Sequence, residues 1–513
     1  MRILFVYPRM DLSMALDAMP PYGPLYLASF LQREGHEVRI YERNIDRTPL
    51  ARAVEAFRPD VIVCTLLFTK QIADMQTLCR ALRASHPGLP ILCGGLTASL
   101  VPEQLLRDHL ADYVGVGEGE YTLLELLEVV QGKRDPSTVQ SLVYLDAGGE
   151  AVHTPLRPFA NLAEFPETDF SLLPMDKYFV YFPRAPRTTM VFASKGCPFQ
   201  CTFCFNAAYH RCQYRARKRE TVMREIEALV ADWGADGIIF NDELWGLDRA
   251  EMYAYCDDIL ALSKKLGKPI HWICETRIGM MQYEDFKRMA DSGCWMLSFG
   301  LESGSPEMLR RLKKTYPLDR VETDVNNCKA VGIGIAANGI FGFPDETPAQ
   351  VRQTIHTIFR LNPTIYSTGL YITFPGTEEY NKLVASGRLA PLGALKEWAR
   401  ELEERKFMVH NFSAIPDREL KVIHYFFYWR LLFQDRKDGR TGRLDYIKIG
   451  LERIFDNIGR KGFLPYFFTH VRLLLCTIWY YYAFPGIRKK YDLYARNFGR
   501  KDWDDLGHLG AAD

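Results

Sequence analysis

Residues 194–206 read SKGCPFQCTFCFN, and the three cysteines Cys197, Cys201 and Cys204 are spaced C-x3-C-x2-C. Thiolates this close ligate zinc or iron–sulfur clusters. A structural zinc site wants four protein ligands, and His210 or Cys212 could supply the fourth. Such sites commonly join two short hooks from separate segments, whereas one loop carries everything here. Three cysteines would instead hold three irons of a four-iron cubane and leave one iron open. An open metal position marks a site that binds a reactant.

The residues around this loop set its place in a fold. TTMVFAS (188–194) precedes it, and GIIFND, IHWICET, CWMLSFGLE, GIGIAANGIFG and IYSTGLYITF follow. All six read as strands, separated for the most part by helical patterns near 221–233, 249–266, 283–292, 305–312, 319–331 and 347–361. Six βα-type units predict a partial or full barrel, whose chemistry lies at the carboxyl ends of the strands. The cysteines immediately follow the first of these strands.

Upstream, RILFVYP (2–8), EVRIYE (37–42), VIVCTL (61–66), PILCGG (90–95) and DYVGVG (112–117) read as five more strands, alternating with helices. That alternation predicts a doubly wound parallel sheet, with ligands bound outside the carboxyl ends of the strands. Gly94, Gly95, Gly115, Gly117 and Gly119 cluster there. They are either tight turns or a surface that a ligand approaches closely. Residues 132–187, proline-rich with weak hairpin signals in SLVYLDAGGEAVHT, read as a linker packed between two domains.

Beyond about 387 the chain becomes helical and aromatic, with IHYFFYWRLLF (423–433) and FLPYFFTHVRLLLCTIWYYYAF (463–484). The second run does not predict a membrane span. Pro465 and Pro485 bracket it, His470 and Arg472 interrupt it, and its uninterrupted apolar part is too short. It reads either as a helical cap on the barrel or as a segment lying in a membrane surface beside Arg453, Arg460, Lys461, Arg488, Lys489 and Lys490.

Bulk composition narrows the function classes. The 513 residues allow two to four domains, and a formal net charge of +1 lacks the basic excess of a nucleic-acid binder. Twelve cysteines, only three of them tightly grouped, argue for reduced thiols or metal ligation over a disulfide framework. MRILFVYP is too short an apolar run for a signal peptide, so a cytoplasmic protein is expected, membrane-associated if the tail touches a bilayer.

The cysteine spacing, with Phe203 before the third cysteine, resembles the radical S-adenosylmethionine (SAM) superfamily. The resemblance implies a [4Fe–4S] cluster on Cys197, Cys201 and Cys204 whose open iron takes the amino and carboxylate groups of SAM. SFGLESG (298–304) resembles the fourth-strand segment whose acid touches SAM, here Glu302. FNDELWG (240–246) sits where relatives carry a polar second-strand motif, with Asn241, Asp242 and Glu243 as candidates. ANGIFGFPDET (337–347), containing Ile340, resembles the segment near adenine, and Arg277 in WICETRIG is a further carry-over. Plainer readings are an ion pair for Arg277 and a solvated turn for Asp242 and Glu243.

A five-stranded doubly wound domain ahead of such a barrel resembles the cobalamin (B12)-binding radical SAM proteins. The segments PPYGPLYLASFLQREGHEV (20–38), CGGLTASLVPE (93–103) and DYVGVGEGEYTLLELL (112–127) carry that likeness. The expected fold is α/β: a flavodoxin-like cobalamin-binding domain (1–133), a linker (134–187), a radical SAM partial (β/α)6 barrel (188–386) and a helical C-terminal domain (387–513). Gly94, Gly95 and Thr97 would line the cobalamin tail, Gly117 and Glu118 the next edge, and Leu66, Leu67 and Phe68 the lower face of the corrin. The D-x-H-x-x-G motif that gives cobalt a histidine is absent, and His36, His86 and His109 fit no such pattern.

The resemblance implies a radical SAM C-methyltransferase. One SAM methylates cob(I)alamin and a second is cleaved at the cluster. The 5′-deoxyadenosyl radical takes a hydrogen from an unactivated carbon, which then receives the methyl group from methylcobalamin. The alternative in the same family is oxidation or cyclisation without methyl transfer, as in tetrapyrrole ring formation. A third reading is a non-catalytic iron–sulfur or zinc protein. The expected partners are a small-molecule substrate, bulky and apolar if the aromatic tail walls the cavity, and an external electron donor of flavodoxin or ferredoxin type.

Overall fold

The protein is described from a computed structural model covering residues 1–9, 19–46, 48–67, 71–182, 184–393, 395, 410–433 and 475–493. The first sheet is built from apolar runs buried on both faces, as a parallel sheet requires. Its parallel strands are β1 (Arg2–Tyr7), β2 (Glu37–Glu42), β3 (Val61–Thr65), β4 (Ile91–Gly94) and β5 (Tyr113–Gly115). Helices α1 (Tyr22–Arg33), α2 (Leu50–Phe57), α3 (Gln71–Ser85), α4 (Leu96–Leu100), α5 (Pro102–Arg107) and α6 (Glu120–Val130) connect and cover them. The strand order is β2-β1-β3-β4-β5, the doubly wound arrangement.

The sheet does not stop at β5. Strands β6 (Leu142–Leu145) and β7 (Ala151–His153) add an antiparallel hairpin at its edge, with Val114 opposite Val143. The sequence reading placed this hairpin in the linker. Strands of three and four residues carry too little alternation to reveal their partner.

The second sheet has the order β16-β15-β14-β13-β12-β9-β8 and does not close. Its strands are β8 (Val180–Phe182), β9 (Ala185–Val191), β12 (Gly237–Phe240), β13 (His271–Glu275), β14 (Cys294–Glu302), β15 (Gly334–Phe341) and β16 (Ile365–Leu370). Six run parallel, and β8 is antiparallel to β9. Between β9 and β12 lie the two-residue strands β10 (Ser194–Lys195) and β11 (Arg215–Ala216), which pair as a ribbon around the short helix α7 (Asn206–Tyr209). The remaining helices are α8 (Arg219–Ala231), α9 (Arg249–Leu266), α10 (Tyr283–Asp291), α11 (Pro306–Arg311), α12 (Leu318–Ala330), α13 (Pro348–Leu361), α14 (Glu378–Ala385), α15 (Asp417–Phe433), α16 (475–483) and α17 (Pro485–Lys490).

Local chemistry sets the helix ends. Asp248 accepts the Ala250 and Glu251 amides ahead of α9, and Gly267 ends that helix at φ 67°. Thr347 and Gln350 form a reciprocal capping box ahead of α13, with Pro348 in the first turn. Of the C-terminal region, α15 packs on β16, while 434–474 and 494–513 lie outside the described residues.

One apolar core runs through both sheets. It joins Ile3, Phe5, Leu25 and Leu31 of the first unit to Ile238, Trp272, Phe341 and Ile355 of the second. The bridge is the 161–179 segment, whose Leu162, Phe165, Phe170, Leu173, Met175 and Tyr178 are all buried in it. Each such side chain contributes roughly 1.5–3 kcal/mol on burial, so this connection is itself core. Below it, the Arg217–Glu225 ion pair is 1% exposed on both sides and accepts Tyr22 and the Thr168 amide as further donors to Glu225.

Candidate functional site

Backbone constraints hold the three-cysteine loop. Gly196 sits at φ +81°, and a Cβ there would lie 2.0 Å from the Gln213 carbonyl oxygen. Buried Asn206 accepts the Cys197 amide at 2.9 Å and donates back to the Cys197 carbonyl. The Cys204 amide donates to the Cys201 carbonyl, the Thr202 amide to Leu312, and the Glu379 amide to Thr202. All three thiols are partly buried. Burial pushes the Cys197 thiol up, against a hydrogen bond from the Phe199 amide. It pushes Cys204 up to about 12, against one from the Asn206 amide.

Two amide-to-sulfur bonds and three partly buried thiols on one rigid loop suit a polynuclear cluster that takes up the thiolate charge. Among the described residues no three His, Cys, Asp or Glu side chains converge on one metal position. Of the two candidate fourth ligands for zinc, His210 points its Nε2 at Glu243 Oε1 at 3.1 Å. Cys212 occupies a left-handed turn at φ 54°.

The acids after β12 face the loop's backbone. Asp242 is buried and accepts the Ala193 amide at 2.8 Å and the Ser194 hydroxyl at 2.6 Å. Burial pushes its carboxyl up to about 7 against those two bonds. Glu243 accepts the Gly196 amide at 2.9 Å. Desolvation pushes its carboxyl up, but His210 and the Gly196 amide outweigh it and leave the carboxyl below its usual range. Both acids therefore anchor the strand-to-loop turn; the plainer reading of a solvated turn does not describe them.

Glu302 ends β14 at φ 58° and is paired with Lys314 Nζ at 2.7 Å. Its side chain folds over Gly300, where a Cβ would lie 2.0 Å from Glu302 Oε1. Arg277 stacks on the Phe199 ring at 3.8 Å and donates to the Thr315 carbonyl at 3.2 Å. Phe203 and Ile340 share a small apolar cluster with Met308, Leu312, Phe343 and Tyr371. Glu302, Arg277, Phe203 and Ile340 thus come from four different segments to the carboxyl end of one sheet.

Two residues at this mouth escaped the sequence reading. Lys314 neutralises Glu302, and Glu275 is the last residue of β13. Glu275 itself opens to solvent, yet desolvation by the surrounding protein and the nearby Glu302 push its carboxyl up, with Lys314 opposing. The position of Glu275 at a strand's carboxyl end was available in WICET; the Lys314 pairing carried no sequence signal.

In the first unit, the Leu66 amide donates to the Gly94 carbonyl, and the Thr97 amide and hydroxyl donate to the Leu66 and Leu67 carbonyls. Gly95 sits at φ +96°, and a Cβ there would lie 2.7 Å from the Leu66 carbonyl oxygen. Gly117 (φ +82°) has no atom within 4 Å of its Cβ position, and Gly94 has only the Gly115 oxygen at 3.9 Å. These bare backbone positions, with Leu67 40% exposed beside them, form an edge that a large flat cofactor can approach closely. Phe68 lies outside the described residues. His36, His86 and His109 precede β2, β4 and β5, so they lie at the opposite, amino ends of the strands.

The two edges meet. Tyr209 of α7 donates to the Gly117 carbonyl at 3.0 Å. Arg215 of β11 holds Glu118 through both carboxylate oxygens, and Lys195 of β10 pairs with Glu120 at 3.1 Å. Burial pushes the Glu118 carboxyl up, but Arg215 and Lys195 outweigh it and leave it lowered. Helix α4 packs on α7, and a Cβ on Gly376 would lie 3.4 Å from both Ala208 and Leu100. Glu118 thereby ties the domains together.

Comparison with known proteins matches this arrangement. The model of the B12 binding domain matches residues 12–127, and that of the radical SAM superfamily matches residues 191–358. An uncharacterized methyltransferase, PH0819 of Pyrococcus horikoshii, is 29% identical over 399 residues, covering 76% of this chain and 84% of that one. The anaerobic magnesium-protoporphyrin IX monomethyl ester cyclase of Rubrivivax gelatinosus is 24% identical over 483 residues, covering 90% of this chain and 85% of that one. The structure of the radical SAM methyltransferase TsrM from Kitasatospora setae, with cobalamin and a [4Fe–4S] cluster bound, shares the fold at TM-score 0.62. It is 20% identical and covers 76% of each chain.

Proposed function

From a chain that joins a B12-binding domain to a radical SAM domain, we propose a cobalamin-dependent radical SAM methyltransferase that acts on an unactivated carbon of a small-molecule substrate. One observation carries the reading: the glycine-lined edge and the three-cysteine loop are held face to face by Tyr209–Gly117 and Arg215–Glu118. When bound, the [4Fe–4S] cluster, SAM and cobalamin supply one-electron chemistry and a transferable methyl group.

The chain's residues divide the remaining work. Cys197, Cys201 and Cys204 hold the cluster, on a loop kept rigid by Asn206, Glu243 and Asp242. Glu302, oriented by Lys314, faces the mouth with Glu275, while Phe203, Ile340 and Arg277 wall it. Gly94, Gly95 and Gly117 let cobalamin approach backbone, with Leu66, Leu67 and Thr97 behind them. A closed domain junction would protect a reactive intermediate from quenching by water.

We take residues 1–133, 188–386 and 387–513 as the three working units, with 134–187 joining the first two and its hairpin docked on the first. Reductive chemistry consumes an electron, so an external donor of flavodoxin or ferredoxin type completes the set.

A second reading, oxidation or cyclisation, is favoured by the likeness to the cyclase, which extends over more of the chain than the likeness to PH0819. Anaerobic reconstitution followed by incubation with SAM and a strong reductant tests the enzyme, with 5′-deoxyadenosine as the expected product. A product heavier by one methyl group supports methyl transfer. Loss of hydrogen or gain of oxygen supports the second reading.

A further inference from the structure

Helix α16 has two unlike faces. Inward, Tyr480 stacks on Tyr425 at 4.7 Å, Tyr481 stacks on Phe426 at 6.1 Å, and Thr477 is fully buried. Outward, Leu475, Ile478, Trp479 and Tyr482 are 59, 37, 63 and 60% exposed. Their spacing of i, i+3, i+4 and i+7 makes one helical stripe. Single exposed apolar residues are ordinary, but a contiguous stripe marks a docking surface.

Charge identifies the occupant. Residues 457–491 contain no Asp or Glu, yet they contain Arg460, Lys461, Arg472, Arg488, Lys489 and Lys490. Three of these basic residues end α17, which follows α16 after one residue. Glu419 holds Lys490 at 2.8 Å, and Arg488 lies over the Tyr481 ring at 4.4 Å, so α17 is fixed against α15 and α16. A second copy docked on the same face would bring the two Arg488–Lys490 ends together, which repel. Anionic lipid headgroups neutralise them, and Trp and Tyr favour the headgroup level.

We propose that α16 lies in the plane of a membrane surface rich in anionic lipid, with Leu475, Ile478 and Trp479 inserted and the end of α17 on the headgroups. The helix rests on the bilayer, since no described helix is long and apolar enough to cross one. This contact is independent of the methyl-transfer reading.

Vesicle sedimentation of the full chain tests it. The chain should sediment with phosphatidylcholine vesicles containing roughly one-third phosphatidylglycerol, far less with phosphatidylcholine alone, and less as salt rises. Trp479→Ser and Leu475→Ser should each cut partitioning about tenfold or more with unchanged thermal unfolding, and Lys489→Glu should weaken only the anionic preference. Absence of binding to the anionic vesicles, equal binding to both vesicle types, or wild-type binding by Trp479→Ser would overturn the proposal. So would a lipid-free dimer in light scattering that Trp479→Ser abolishes, which would assign the face to a second copy.

Discussion

Arg215 and Glu118 form a two-pronged ion pair, at 2.6 and 2.7 Å, between the ribbon beside the three-cysteine loop and the turn after the last parallel strand of the first sheet. The pair is largely buried, with 15% and 8% side-chain exposure. It sets the distance between the two candidate cofactor edges, and it carries the first prediction.

Replacing Glu118 with Gln strands a buried guanidinium. Removing one partner of a buried pair costs about 3–5 kcal/mol. Lys195–Glu120 and Tyr209–Gly117 remain to limit the loss. The midpoint of thermal unfolding should fall by several degrees, and cobalamin should bind more weakly. Unchanged values for both would remove Glu118 from the junction.

Two glycines should respond differently to alanine. Gly196→Ala drives a Cβ to 2.0 Å from a backbone oxygen, so the loop must move. Iron bound after anaerobic reconstitution should drop severalfold while far-ultraviolet circular dichroism is preserved. Gly117→Ala meets no atom within 4 Å and suffers only the strain of a left-handed residue, roughly 1–2 kcal/mol. It should keep its iron and lose cobalamin affinity, a split readable from the visible spectrum.

Asp242→Asn separates anchoring from SAM recognition. The amide keeps the shape and one acceptor for the Ala193 amide, so SAM affinity should change less than about threefold while stability drops by about 1 kcal/mol. Lys314→Met should do the reverse, leaving Glu302 without its cation and weakening SAM binding tenfold or more in equilibrium dialysis. A large loss of affinity in Asp242→Asn would instead support the direct contact expected from the sequence.

Glu346 predicts a pH dependence. It is fully buried after β15 and accepts the Gly342 and Phe343 amides at 2.7 and 3.2 Å. Burial nevertheless pushes its carboxyl up to about 7, from an ordinary value of 4.5. The folded state therefore holds a proton that the unfolded chain releases. The contribution to stability is complete below about 4.5 and is lost as pH rises through about 7. Glu346→Gln should narrow the difference between unfolding midpoints at pH 5 and pH 8; an unaltered difference would count against a protonated Glu346.

Long apolar runs made most of the architecture legible. RILFVY, VIVCT and GIIF announce buried parallel strands whatever their partners, and the cysteine spacing located the mouth. What stayed hidden was short or distant. The ribbon of β10 and β11 has two residues per strand, too few for any periodicity. The glycines of CGGLTASLVPE read as tight turns or a ligand edge, without signalling the helical turn Leu96–Leu100 that follows them and packs on α7. Arg215 and Glu118 are 97 residues apart, and no pattern in one sequence pairs charges at that separation. Asp242 and Glu243 are expected from the sequence as site residues; their hydrogen bonds run to Ala193, Ser194 and Gly196, partners that only the folded chain reveals.

The shared core has a consequence for biosynthesis. Ile3, Phe5 and Leu31 leave the ribosome early, but the same cluster includes Ile355, Phe426 and Leu493, which emerge last. The nascent first sheet gains the cover of α1 and α6 by residue 130, but the 161–179 segment and the second sheet that complete the cluster follow later. Truncated products ending before α15 should be captured by chaperones or aggregate, and the two halves should not be separable as stable fragments.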